Sequence, residues 1–491
     1  VFDEVYYPKY GSHYLQGIPL FGGHPPLSTY FMAFGIWVAT HTPIGQGEAV
    51  NSLTGMLLTP VSYRWFDAVT GSFMPLLMVA IAHLMGQLAG WERSRCRSFG
   101  LIAGLFAGLD GLLLVETRYA LINIFLVLFG FLAQLWLLLA LRNGSHPQAT
   151  RWKMVHRHLY LALTGICLAA TTSIKWNGLG FWFGLMLLIG MAWIVRLWQA
   201  WRGKTRPSTM GDRPFLSTFL GRITQIHPLS VVLYFVVVPA IAYWLFWLPY
   251  LQLTPQISFW DWQKETLAYH GRIGGHDSHP YCSYWWGWPL LLRPIAYFYA
   301  TGHTPDSPPT LFGPALPGDA VQVIYDIHAL GNPILWWFST AAIAYLIGRF
   351  LFPPVGWVVM RIPFLLPLRQ WLQSKWAWLP PSPAPLLNLS NASVQLALYL
   401  VLNYAANWLP WMIVHRCTLL YLYMPASLFA LLAIAWFASH WWHSSNPPYR
   451  AIALTVIGVI AAAFLFWLPL YLALPLSREG FWLRMWFPSW L

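Results

Sequence analysis

Residues 119–141, YALINIFLVLFGFLAQLWLLLAL, run for 23 positions without one charged side chain. At about 1.5 Å of rise per residue, a helix of that length crosses the roughly 30 Å hydrocarbon core of a bilayer. Nine more runs of the same character lie near 62–88, 98–114, 158–174, 177–200, 229–250, 332–352, 395–415, 417–437 and 450–473. Only 9% of the chain is charged, against roughly 25% in a soluble domain. The fold class that follows is an all-α polytopic membrane protein with ten membrane helices. The net charge of +13 could suggest nucleic acid, but the basic residues fall between apolar spans, where they orient helices. Nucleic acid is therefore not an expected partner.

The distribution of charge tests this layout. With the N-terminal segment external, the internal connections hold Arg93, Arg95, Arg97, Arg142, Arg151, Lys153, Arg157, Arg196, Arg202, Lys204, Arg206, Arg213, Arg222, Arg349, Arg361, Arg369, Lys375 and Arg450. Of the acids only Glu92 and Asp212 fall inside, as the positive-inside rule requires. A cytoplasmic native N-terminus would need one further helix before Val1. The chain then divides into an external loop at 1–60, membrane helices at 61–250, an external aromatic-rich loop at 251–330, membrane helices at 331–473 and an external tail at 474–491. Within the first loop, Pro25 and Pro26 set the start of an apolar run to Thr40 that is too short to span and reads as an interfacial helix. The internal segment 353–393 reads as a surface hairpin, so its sequons at Asn388 and Asn391 are disregarded. Cys96, Cys167, Cys282 and Cys417 show no CxxC spacing; packing roles are expected, with neither a zinc site nor a disulfide framework.

Acids are scarce, fifteen in 491 residues, so the adjacent Asp3 and Glu4 in FDEVYYPKY are informative. Ionisable groups beside the apolar slab tend to be functional, the alternative being a solvated turn or an interfacial anchor. Others gather at the same external surface: Arg64 and Asp67, one helical turn apart and able to form an ion pair, then Asp110, Glu116, Arg118, Lys175, His415 and Arg416. This set suits a lipid-linked sugar phosphate held at the membrane surface. Cations would bind its phosphate, and a carboxylate would deprotonate an incoming hydroxyl. Phosphate leaves readily, so stabilising its developing charge is the main demand on the cations.

Other chemistries fit less well. His276, Asp277 and His279 form an HDxH cluster that lacks a third ordered ligand, so no metal site is assigned, and a divalent cation requirement is left open. Gly271, Gly274 and Gly275 follow no strand and make no phosphate loop. A transporter would place charge at mid-membrane on broken, repeated helices.

The segments FDEVYYPKY, HPPL, YRWFDAVTG, LDGLLLVETRYALINIFLVLF, SIKWNGLG, HPYCSYWWGWPLL, GNPILWW, NWLPW and RCTLLYLYMPA resemble, in order, the protein O-mannosyltransferase family. The HPYxSxWWxWPL block and the FDE opening are the most specific of these. The resemblance implies a GT-C glycosyltransferase of about eleven helices. It would move mannose, with inversion, from polyprenyl-phosphate mannose to Ser or Thr of exported proteins. By resemblance the acidic motif falls on Asp3 and Glu4, with Asp3 the base, and the donor-phosphate contacts on Arg64, Arg118, Lys175 and Arg416. His24, His279, Tyr281, Trp285 and Trp286 would line the substrate groove. The large loop has no room for the β-trefoil of eukaryotic members, which points to a bacterial type. Asn123 stands where the family usually has Asp, and Glu116-Thr117 replaces its usual polar pair. No tightly bound cofactor is implied. Partners would be the lipid donor, exported Ser/Thr polypeptides and membrane lipids, near a Sec translocon, with the active site on the outer face of the inner membrane. The rivals are a related transferase moving another sugar, such as aminoarabinose, to a lipid or glycan acceptor, and a non-catalytic transporter or scaffold.

Overall fold

The computed structural model describes residues 2–143, 151–203, 216, 218–303, 322–361 and 391–491. Outside them lie Lys204, Arg206, Asp212, Arg213, Arg369, Lys375, Asn388 and most of the 353–393 hairpin. The principal helices are α1 (Tyr7–Leu15), α2 (Leu27–His41), α3 (Val61–Leu88), α4 (Arg93–Gly108), α5 (Gly111–Arg118), α6 (Asn123–Asn143), α7 (Arg151–Ile174) and α8 (Leu179–Gly203). There follow α9 (Pro228–Leu253), α10 (Phe259–Arg272), α11 (Pro333–Arg361), α12 (Ala392–Trp408), α13 (Met424–Trp442) and α14 (Pro447–Leu472).

Among the described residues, eight helices are long and apolar enough to cross a membrane, nine if a bent pair counts as one. The ten expected spans resolve as follows. Eight match; the 98–114 run is the bent pair α4 and α5, broken by 59°; and the 158–174 run belongs to α7, helical but too polar to join the eight. The break lies at Asp110, whose carboxylate accepts from the Leu112 amide at 3.2 Å and from Trp336 Nε1 at 3.1 Å. That side chain starts α5 as a new helix instead of letting α4 continue. The decisive run at 119–141 also starts late, at Asn123. The Ala120 and Leu121 amides ahead of it are bound by Glu4 and Asp67, at 3.0 and 3.1 Å, in place of helical carbonyls.

Burial orders the bundle. In α13 94% of the apolar window is enclosed, as suits MPASLFALLAIAWFA, which is apolar on every face. By contrast α9 and α14 are 11% and 22% enclosed and form the periphery. Inside, Tyr399 donates to Gln134 at 2.8 Å and Gln134 to Asn403 at 3.2 Å, tying α6 to α12 through a polar contact of the kind that joins membrane helices.

The helical fold holds, and within it two expectations are corrected. Among the described residues one small antiparallel sheet joins the second external loop to the C-terminal tail: β1 (Ile295–His303), β2 (Gln322–Ala329) and β3 (Leu476–Ser477), with β2 central. The aromatic and β-branched residues of IAYFYATGH and QVIYDIHA suit a half-buried pleated surface, and Tyr297, Val323, Ile324 and Ile327 are buried. Cysteine pairing is the second: Cys282 and Cys417 form a disulfide across 135 residues, while Cys96 and Cys167 are free and buried. Spacing could not reveal a pair that only the fold brings together.

Candidate active site

The N-terminal segment is held against the bundle by α1, which packs on α2 so closely that a Cβ at Gly11 would lie 2.8 Å from the Ala33 amide nitrogen. This fixes the 3-10 turn Phe2–Val5 and separates the two adjacent carboxylates. Glu4 is 2% exposed and points into the protein. Arg64 donates Nε to its Oε1 and Nη2 to its Oε2, both at 2.5 Å, and the Ala120 amide adds a third bond. Arg64 thus pairs with Glu4 and not with the nearby Asp67, which caps the Leu121 amide. Arg64 also lies 4.6 Å from the centre of the Tyr119 ring.

Asp3 faces the other way and is partly exposed. Tyr421, in the 3-10 turn that leads into α13, donates its hydroxyl to Asp3 Oδ2 at 2.9 Å. The same Tyr421 ring carries Lys175 Nζ 4.8 Å from its centre, so one aromatic side chain joins the carboxylate to the ammonium. Lys175 sits in extended backbone between α7 and the 3-10 turn Trp176–Gly178. Gly178 is required there, because a Cβ would lie 2.5 Å from the Thr171 carbonyl. Trp176 anchors the turn by donating to the Tyr243 hydroxyl at 3.0 Å, and Tyr243 donates to Gln263 at 2.7 Å.

Around Lys175 the groups are mostly basic. Arg416, His24 and His270 lie within electrostatic reach of it, and the two imidazole rings are 5.2 Å apart. Burial lowers Lys175 from 10.5 to about 8; Asp3 and Glu116 oppose the drop and Arg416 adds to it. Burial and the same two cations lower His270 to about 4 and hold His24 well below its ordinary value, so both rings are neutral near pH 7. Asp3 is raised by burial, against the pull of Lys175, Tyr421 and His279. Neutral imidazoles, an ammonium and a guanidinium around one partly open carboxylate form a site for an anion beside a base.

The Arg416 turn is stitched to the aromatic loop. Beside the Cys282–Cys417 bond, the Ser283 amide donates to the Thr418 carbonyl at 2.8 Å and the Thr418 hydroxyl to the Ser283 carbonyl at 2.6 Å. Cys417 in turn donates its amide to the Gly274 carbonyl at 2.7 Å. His279 reaches Asp3 electrostatically, Tyr281 lies under Arg293 at 5.9 Å, Trp285 packs on Trp408 at 5.1 Å, and exposed Trp286 stacks on Tyr284 at 5.9 Å. Of the HDxH cluster, His276 stacks on Tyr284 at 4.0 Å and His279 Nδ1 accepts the Tyr281 amide. Among the described residues no three metal-ligating side chains converge.

The structure thus gathers Asp3, Lys175, Arg416, His24 and His279. It assigns Glu4 and Arg64 to each other and turns Arg118 away, its Nη1 donating to the Tyr471 carbonyl at 2.7 Å. Sequence reasoning missed Tyr421 and His270. Tyr421 lies inside the RCTLLYLYMPA motif, which was a signal at hand; His270, in a polar amphipathic helix, gave none.

Residues 1–253 match the family described as dolichyl-phosphate-mannose-protein mannosyltransferase, and residues 255–490 match the C-terminal four-helix transmembrane region of protein O-mannosyltransferase. The polyprenol-phosphate-mannose–protein mannosyltransferase of Corynebacterium glutamicum is 24% identical over 552 residues, covering 100% of this chain and 88% of that protein. Its Mycolicibacterium smegmatis counterpart is 22% identical over 546 residues, covering 100% and 87%. Among solved structures, the Saccharomyces cerevisiae protein O-mannosyltransferase Pmt1-Pmt2 complex bound to the sugar donor shares the fold, with a TM-score of 0.67 at 14% identity, covering 100% of this chain and 89% of that one. By these matches along its whole length, the chain belongs to the dolichyl-phosphate-mannose-protein mannosyltransferase family and is a multi-span membrane glycosyltransferase of the GT-C fold.

Proposed function

We propose that the protein transfers mannose from a polyprenyl-phosphate-mannose donor to Ser or Thr hydroxyls of exported polypeptides, with inversion at the sugar carbon. The observation that carries the proposal is the Asp3–Tyr421–Lys175 arrangement with Arg416 beside it. Tyr421 engages Asp3 Oδ2, and Oδ1 is the oxygen offered to the acceptor hydroxyl. Asp3 takes the hydroxyl proton, the oxygen bonds to the anomeric carbon from the face opposite the phosphate, and the bond from that carbon to the phosphate oxygen breaks. The electron pair leaves with the lipid phosphate, whose charge Lys175 and Arg416 stabilise. A carboxylate raised by burial is a stronger base than a solvated one, which suits proton removal near neutral pH. Glu4 and Arg64 form the fixed wall against which Asp3 is held, and His24 and His270 are neutral donors for the phosphate oxygens. The aromatic loop, with His279, Tyr281, Trp285 and Trp286, lines the groove for donor or acceptor.

The disulfide supports an extracytoplasmic site, since such bonds persist in oxidising compartments. The segregation of acids and bases in the sequence points to the same face, at the inner membrane of a bacterium. The test is incubation of the protein in liposomes with radiolabelled polyprenyl-phosphate mannose and a Ser/Thr peptide. Label in the peptide with inverted anomeric configuration is expected. Label appearing only in lipid, or none in either, would refute the reading.

A further inference from the structure

Behind Lys175 lies a second carboxylate that the proposed reaction leaves unused, and its role rests on the donor-phosphate function assigned above to Lys175. Glu116, in α5, is fully buried. Its Oε1 accepts the Tyr297 hydroxyl from β1, and its Oε2 accepts Asn123 Nδ2 at 3.0 Å. Asn123 Oδ1 in turn accepts Lys175 Nζ at 3.4 Å. An ammonium can only donate, so Asn123 must turn its oxygen to Lys175 and its amide NH2 to Glu116. Glu116 Oε2 is thereby fixed as an acceptor, and donors on both of its oxygens favour the ionised form. Lys175 therefore stands between two carboxylates, Asp3 across Tyr421 and Glu116 across Asn123. The other charged or titratable groups that face it are Arg416, His24 and His270.

We propose that Glu116 is a positioning residue: acting through Asn123, it aims the Lys175 ammonium at the donor phosphate and keeps it charged, without touching donor or acceptor. Because Tyr297 fixes Glu116 from β1, the small sheet of the external loop becomes part of the machinery that orients the cation. The need for such a residue follows from the surroundings, since burial and Arg416 both press Lys175 to lose its proton. A buried carboxylate on the far side of Asn123 opposes that loss without competing with phosphate for space.

The test replaces Glu116 with Gln, which keeps its size. Two quantities are followed against pH: kcat/KM for transfer, and labelling of Lys175 by trace acetic anhydride without substrate, read by mass spectrometry. Both alkaline midpoints are expected to fall by about one pH unit in E116Q. N123D in the E116Q background returns a carboxylate to Lys175 and restores the midpoints. Asn123→Leu, which keeps the size but removes the acceptor for Lys175, lowers them as well, and decides the matter if E116Q does not fold. In a Lys175→Arg background E116Q leaves the pH profile unmoved, because arginine does not titrate there. A wild-type labelling midpoint in E116Q or in Asn123→Leu would overturn the assignment. Wild-type protein that transfers no mannose would instead sink the proposed activity, while the labelling midpoint still decides the role of Glu116.

Discussion

The pH dependence of transfer follows from the two groups that flank Tyr421. Lys175 is lowered to about 8 in the free protein, so the cation proposed to hold the donor phosphate is present below that pH and lost as pH rises through it. One unit higher, roughly nine-tenths of the ammonium is neutral. Asp3 is raised above 3.8, so the base is lost as pH falls through that raised value, and the acid limb lies above the ordinary carboxylate range. The profile of kcat/KM, which reports the free enzyme, is therefore a bell with its alkaline limb near pH 8. Donor binding changes this. A single phosphate charge about 4 Å from the ammonium, at an effective dielectric constant near 20, is worth about 4 kcal/mol, or roughly three units. That is enough to undo the depression of Lys175, so the alkaline limb of kcat moves well above that of kcat/KM. The assay is initial-rate transfer of labelled mannose to peptide from pH 5 to 10 at limiting and saturating donor, for wild type and Lys175→Arg. In the variant the limb near pH 8 disappears. Coincident alkaline limbs in kcat and kcat/KM, or an unchanged limb in Lys175→Arg, would refute the reasoning.

Glu4→Gln breaks a part-buried fork and leaves Arg64 without its counter-charge, so a loss of about 1.5–3 kcal/mol of stability is expected, seen as a lower unfolding temperature in detergent. An unchanged unfolding temperature would remove Glu4 from its structural role. Reduction of Cys282–Cys417, or Ser at both positions, loosens the turn that presents Arg416, and a misplacement of about 1 Å costs up to about 10²-fold in kcat/KM. The double Ser variant should then be insensitive to dithiothreitol; a wild type equally insensitive would show that the bond does not hold Arg416 in place.

What could be read from sequence was what composition and local spacing carry. The spans were legible because an apolar run of about 20 residues rarely arises outside a membrane helix, and Asp3 because acids are rare in this chain. Contacts between distant residues were not. Glu4 meets Arg64 sixty positions away, and Cys282 meets Cys417 across 135, so neither the fork nor the disulfide leaves a pattern in the chain. Arg64 and Asp67 looked like partners because they are near in sequence; the fold offered Glu4 and the Leu121 amide instead. Asp110 could be read as an ionisable helix end, but its capping geometry, which breaks the span, depends on Trp336 arriving from α11. The strands β1 and β2 passed as loop because IAYFYATGH and QVIYDIHA are too short to span a membrane and lie in a segment already expected to be external.

The claim on which the rest depends is that Asp3 removes the acceptor proton beside a phosphate held by Lys175 and Arg416. Its most direct measurement is single-turnover transfer by Asp3→Asn, with donor affinity measured separately on the same protein. The account predicts a rate lower by about 10²–10⁴-fold with donor affinity changed little. Wild-type turnover in Asp3→Asn would contradict it.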